Sequence, residues 1–308
     1  MSGKVGFGKV RKKDETRCNP KLAFTPRSSS VLAVVLPCIY ILAVTIFCLW
    51  YNVIPGPEFL VLFFLIYAAY NKRSKKFVKD WIPFLTLFVS YQAMYGLVGA
   101  VSGIVHISEP INAELQLCGS LPTVMLQQLY RAPILDYMGA LFYSVHFFAP
   151  TIFAFIMWRT SPKDYWKYTA ALAVLTYSSL ITFLVYPVAP PWFGVSGVTR
   201  ILFDVDKSLG VPVYRTIYDF IEPNQFAAFP SLHSAFPWLI ALYALKIGKA
   251  KALPILVFPF GVWFSAIYLG EHYLVDVLGG IAYATLAFFF SEKIIPNIQS
   301  RLTLKQNV

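Results

Sequence analysis

Charge is what this chain of 308 residues has least of: Asp, Glu, Lys and Arg together make up 13% of it, against about 25% in a soluble domain. That deficit excludes an ordinary water-facing globular protein. With 57% apolar residues, most of the chain must be solvated by lipid or packed against other apolar helices. Cysteine is also scarce. Cys18 lies in a polar N-terminal segment, Cys38 and Cys48 inside the first apolar run, and Cys118 alone between runs. None has the spacing of a disulfide framework, a metal site or a redox pair. Internal repeats, low-complexity tracts and linkers are missing, which leaves a single compact unit. Acids are few beside bases, 15 against 26, and such a surplus can mark a nucleic-acid surface. Here the bases form short clusters between apolar runs, the pattern of a membrane protein's cytoplasmic loops, so no nucleic-acid partner is expected.

What is present is a series of apolar runs, at roughly 31–53, 57–70, 81–104, 134–158, 166–187, 230–247, 252–269 and 273–293. Most approach the ~20 residues that cross a bilayer. The pattern predicts an all-α polytopic bundle of about six to eight transmembrane helices. The parts are a basic N-terminal segment over 1–30, a single transmembrane domain over 31–293 with a core from about 134, and a tail over 294–308. The first run exceeds the 7–15 apolar residues of a cleaved signal peptide, so it reads as a retained span. The run at 57–70 is short, and either crosses fully or forms half of a shallow hairpin with the first. Of the 26 Lys and Arg, 22 fall in the N-terminal segment, in 71–80, 159–167 and 246–251, and after 292. Eight crossings put all five clusters on one face, with both termini cytoplasmic. Six crossings give the same sidedness after residue 71.

This orientation sends three separated motifs to the outer side. Phe229-Pro230-Ser231-Leu232-His233 opens one span, and His272 with Asp276 opens the last. Tyr186 to Trp192 (YPVAPPW) closes another, because Pro187, Pro190 and Pro191 cannot continue a helix. His272 and Asp276 stand one helical turn apart. The carboxylate can fix one ring nitrogen and leave the other basic, able to attack phosphorus. His233 could protonate the leaving oxygen and later deprotonate an acceptor. No metal or other cofactor is needed for that chemistry. The same His/Asp spacing also suits a metal ligand pair, but beyond His106 and Glu271 no further outward acid or histidine cluster joins it. Ser231 either caps its helix or, with the neighbouring amides, binds an oxyanion.

These residues resemble the type 2 phosphatidic acid phosphatase superfamily, whose pattern is KxxxxxxRP, PSGH and SRxxxxxHxxxD. Pro230-Ser231-Leu232-His233 matches the second element, and Ser265, Ala266, His272 and Asp276 match the third. The resemblance implies His272 as nucleophile, Asp276 as its orienting partner, His233 as general acid and base, and Ser265 at the phosphate. The pattern's two arginines fall on Ala189 and Ala266 here, and its lysine on Thr182. A phosphoryl transition state needs positive charge, so the substitutes are the outward bases Arg131, Arg200, Lys207 and Arg215, with Arg200 and Arg215 favoured. FPSLHS, the APPW turn, HYLVD and the segment LDYMGALFYSVHFFAP are similar to the inositol phosphorylceramide synthase branch, which moves a phosphoinositol head group between lipids. That likeness implies that Asp136 touches a head group. His146 stands about three turns deeper, roughly 15 Å, which favours a structural role.

The expected function is therefore a membrane phosphotransferase acting on a phospholipid, sphingolipid or polyprenyl phosphate at the outer or luminal leaflet. The alternative is a lipid phosphate or polyprenyl diphosphate phosphatase. A transporter would thread titratable groups through the whole membrane depth, whereas these gather at one face. A non-catalytic lipid binder would keep its affinity, and show no turnover to lose, in His272→Ala. The stretch Ile111 to Tyr130 is either an amphipathic interfacial segment or an ordered cover over the bundle.

Overall fold

The computed structural model describes residues 57–101, 104–220 and 225–294, with isolated residues 39, 42, 43 and 46. The expectations for the basic N-terminal segment, the first apolar run and the tail lie outside the described residues. The helices are α1 (Pro57–Tyr70), α2 (Ser74–Val101), α3 (Ser108–Cys118), α4 (Pro122–Tyr130), α5 (Pro133–Thr160), α6 (Pro162–Val185), α7 (Pro191–Gly194), α8 (Ile201–Leu209), α9 (Val213–Phe220), α10 (Leu232–Gly248), α11 (Val257–Tyr268) and α12 (Leu274–Phe289). Among the described residues there is no strand, only isolated bridges joining Val188 to His106 and Ala227.

Helix starts follow local chemistry. Proline occupies the first turn of α4, α5, α6 and α7, where its fixed φ suits a helix and its missing N–H costs nothing. Ser231 caps α10, its side chain accepting from the Ser234 amide at 3.3 Å.

Among the described residues, four stretches are long and apolar enough to cross a bilayer: Pro133–Thr160, Pro162–Val185, Leu232–Tyr268 and Leu274–Lys293. The third has 37 residues and doubles back through a 3-10 segment, Lys249–Leu256. Trp263 Nε1 donates to Ser234 O at 3.2 Å, and the Trp238 and Trp263 rings lie 5.6 Å apart. The runs at 230–247 and 252–269 are thus the two arms of a hairpin. Side chains such as Val89, Leu141, Val185, Val257 and Leu286 point outward and are more than half exposed, as lipid-facing positions must be.

The two ends of the bundle differ. At one, Lys246 donates to Asp164 (2.7 Å) and Glu292 (2.6 Å), and Lys167 donates to Glu292 (2.9 Å). Buried Trp81, Tyr165, Tyr168 and Tyr243 pack within the same half. At the other end, about 25 Å away along the 17-residue α10, the starts of α10 and α12 meet the end of α6. The segment 105–133 is an ordered cover there, as α3 and α4. Gln127 Nε2 donates to Thr199 O and Tyr268 O, both at 2.9 Å, and Gln127 Oε1 accepts from Thr199 N.

Candidate active site

The site is built on the joined starts of α10 and α12. Ser231 N donates to Asp276 O at 3.0 Å, and Ser234 Oγ donates to Val277 O at 3.0 Å. Gly280 permits this approach: a Cβ there would stand 2.1 Å from Ser234 Oγ and 2.2 Å from Ser231 O. The loop from α11 to α12 turns at Gly270, whose φ of +84° few other residues adopt. Backbone bonds then fasten it. The Glu271 and His272 amides donate to Ala266 O at 3.1 and 3.0 Å, Trp192 N donates to Gly270 O at 3.1 Å, and Ile201 N donates to Leu269 O at 3.2 Å. Through the last two contacts the chain holds Trp192 and Arg200 against the loop that carries His272.

The imidazoles meet directly. His233 Nδ1 and His272 Nε2 are 2.9 Å apart, and both residues are buried. On the far side of the His272 ring, Nδ1 lies 3.6 Å from Asp276 Oδ2, too long for a good hydrogen bond but close enough for a strong charge interaction. Asp276 is fully buried, and Oδ2 also accepts from Tyr273 N at 2.8 Å. With the proton on the His272 nitrogen facing Asp276, Nε2 keeps its lone pair and His233 Nδ1 is the donor. Tyr143 supports His233 by stacking at 4.0 Å, with its hydroxyl 3.3 Å from Nδ1. The His146 ring lies 3.9 Å from that of His233 and donates Nδ1–H to Tyr143 O at 2.6 Å.

One cavity contains this group. Its polar end is lined by His146, His233, His272, Arg200, Glu271 and Trp192; its apolar arm runs past Phe84, Leu87, Phe88, Phe147, Leu172 and Phe183. Three of the chain's four histidines therefore share one pocket. Among the described residues, Arg200 is the base that lines it. Its Nε donates to Glu271 Oε1 at 2.8 Å and its Nη2 to Oε2 at 3.2 Å. The guanidinium carbon lies 4.3 Å from the Trp192 ring and 4.5 Å from that of Phe203.

Other candidate residues lie off the cavity lining. Arg131 donates to Asp204 at 2.7 Å and stands 3.6 Å from Asp136, whose other oxygen accepts from Tyr268 OH at 2.5 Å. These partners hold Asp136 in a polar cluster off the cavity lining. Arg215 lies over Phe203 at 5.1 Å. Ser265 donates to Gly261 O at 2.6 Å and borders a different apolar groove, between α5 and α11. Ser231 is enclosed as the helix cap. Thr182, at the lysine position of the phosphatase pattern, is bonded to Tyr283 OH at 2.8 Å. Among the described residues no cluster of three or more His, Cys, Asp or Glu side chains is arranged to hold a metal.

Glu114, absent from the candidates drawn from the sequence, adds a further carboxyl behind the site. It is buried on α3, and Oε1 accepts from the Leu274 amide at 2.5 Å, at the start of α12. Burial pushes its pKa up to about 7 against that hydrogen bond, and the nearby Asp276 charge adds to the rise.

The profile of the PAP2 superfamily matches residues 108–290, a segment that holds every side chain of the polar end of the cavity. The chain belongs to the PAP2 superfamily. Within it, the chain is 26% identical over 254 residues to the phosphoinositol dihydroceramide synthase of Bacteroides thetaiotaomicron, covering 76% of this chain and 81% of that one. It is 27% identical over 188 residues to the inositol phosphorylceramide synthase catalytic subunit aur1 of Schizosaccharomyces pombe, covering 56% of this chain and 44% of that one. Undecaprenyl-diphosphatase BcrC of Bacillus subtilis is 33% identical over 88 residues, covering 27% of this chain and 46% of that one. No solved structure matches. This PAP2 superfamily member is an integral membrane helical bundle and an enzyme of the lipid phosphotransferase or phosphatase class.

Proposed function

We propose that this PAP2 superfamily protein transfers a phospho-head group from a donor phospholipid to the hydroxyl of an acceptor lipid; its bacterial relative is named a phosphoinositol dihydroceramide synthase. The observation that carries the reading is the 2.9 Å contact between His233 Nδ1 and His272 Nε2, in a pocket with Arg200 at one side and an apolar arm at the other. The arm suits acyl chains, and the histidines suit a phosphorus atom at the polar end.

In the first half-reaction, His272 Nε2 attacks phosphorus and forms a P–N bond. The P–O bond to the donor's glycerol breaks, and His233 gives its Nδ1 proton to the departing oxygen. In the second, His233 takes the proton of the acceptor hydroxyl, whose oxygen attacks phosphorus while the P–N bond breaks. Asp276 stabilises the cationic ring during both halves. Arg200 offers N–H groups to the phosphoryl oxygens, where charge accumulates. The topology that follows from the basic clusters opens the pocket on the outer or luminal side, with both termini cytoplasmic.

Purified protein in detergent, given phosphatidylinositol and ceramide, is expected to yield diacylglycerol and a phosphoinositol sphingolipid together. Phosphate release from polyprenyl diphosphate without any acceptor lipid, and no transfer, would instead establish hydrolysis.

A further inference from the structure

The carboxylate bonded to Arg200 has a consequence for which phosphates the pocket accepts. We propose that Glu271 sets the charge of the phosphate site and thereby selects phosphodiesters over phosphomonoesters. The inference rests on the reading above, in which phosphate lies between His272 and Arg200.

Three positions that carry cations in the phosphatase pattern are neutral here, Thr182, Ala189 and Ala266. Ala266 is fully buried, with its carbonyl occupied by the His272 amide. Arg200 brings positive charge to the pocket, but in company with Glu271, which grips it through two hydrogen bonds. The side chains of the pair are only 9% and 4% exposed, so water screens neither well. Glu271 immediately precedes His272 and lines the same cavity. A neutral amide could orient the guanidinium as well. A carboxylate does so while cancelling its charge, and Asp276 adds another negative charge behind His272.

A phosphodiester brings one negative charge into this setting. A phosphomonoester, with a second pKa of about 6, brings nearly two at pH 8. The additional charge meets Glu271 across a few ångströms of poorly hydrated protein, where like charges repel strongly. Discrimination of at least about tenfold against the monoester follows. Glu271 acts through the field it places on the phosphate and through Arg200, and so determines specificity without taking part in bond making.

The test compares two short-chain lipids that differ by one charge, dihexanoyl phosphatidate and its methyl ester dihexanoyl phosphatidylmethanol. Their affinities at pH 8 are measured on detergent-solubilised His272→Ala protein, which binds without turnover. Adding Glu271→Gln is expected to raise the affinity for phosphatidate relative to its methyl ester about tenfold. Glu271→Ala gives the same shift, so the outcome does not hang on one variant, and melting curves in detergent identify the folded forms. Glu271→Asp keeps the charge and is expected to keep the selectivity of the parent. An unchanged ratio in both neutral variants, with both lipids weakened alike, would overturn the proposal and leave Glu271 a purely structural partner of Arg200. If Arg200→Ala leaves both affinities untouched, phosphate does not bind there at all, and the underlying reading falls with it.

Discussion

His272 presents its Nε2 to His233 because the other side of its ring faces a buried carboxylate, 3.6 Å away. Removing either member affects different quantities. His272→Ala deletes the nucleophile and is expected to lower turnover by about 10⁴-fold or more, with melting temperature in detergent nearly unchanged. Asp276→Asn keeps the shape but no longer holds the required tautomer, and a loss of about 10³-fold is expected. Rapid quenching with a radiolabelled donor distinguishes them: the asparagine variant accumulates acid-labile phosphoprotein slowly, the alanine variant none. At this scale much was legible beforehand. His233, His272 and Asp276 announce themselves through spacing within single segments. The sequence offers four outward bases and favours Arg200 and Arg215; it does not separate these two, because the turn that aims Arg200 is fastened through Trp192, Gly270 and Ile201, residues far apart in the chain. His146 reads from the sequence as a structural residue about three turns below Asp136, and in the fold it packs 3.9 Å from the His233 ring and lines the cavity. The expected depth runs from Asp136, whereas Asp136 is held by Tyr268 and Arg131 in a separate polar cluster and the paired histidines lie beside His146.

Helix contacts decide whether these side chains meet. The bundle and its hairpin arms follow from apolar runs and proline placement, which are local signals. The covering role of α3 does not, since it depends on where Glu114 lands. Gly280 is the clearest element-scale constraint. In Gly280→Ala the added Cβ must displace Ser234 Oγ and the Ser231 carbonyl, parting α10 from α12. Overpacking of this kind costs about 1–3 kcal/mol, and because it separates His233 from His272 the loss of turnover is expected to exceed the loss of stability. Glu114 makes a pH-dependent contact between α3 and α12. Its pKa of about 7 in the folded protein lies above the ordinary 4.5, so its favourable contribution is complete below pH 4.5. That contribution declines as pH rises through 7, by roughly 3 kcal/mol in all. Glu114→Gln keeps a neutral group in place. The wild-type protein is expected to lose melting temperature between pH 5 and pH 8 by more than this variant does, in the same detergent.

The proposed orientation of the whole molecule assigns the chemistry to one compartment. Of 26 Lys and Arg residues, 22 lie in the N-terminal segment, the tail and the connections remote from the histidines, and moving such clusters across a bilayer is opposed during insertion. Lys246, Asp164, Lys167 and Glu292 join to close that end, and in the proposed transfer both lipids reach the other. Cys118, exposed and unpaired at the end of α3, reports on the site end without any substitution at the pocket. In intact cells, with Cys18, Cys38 and Cys48 replaced by serine, a membrane-impermeant maleimide is expected to label Cys118. With Cys118 also replaced, Lys249→Cys in the hairpin turn is expected to label only after permeabilisation. The reverse pattern would put the pocket in the cytoplasm, where the histidines could still exchange phosphoryl groups but only between lipids of the inner leaflet.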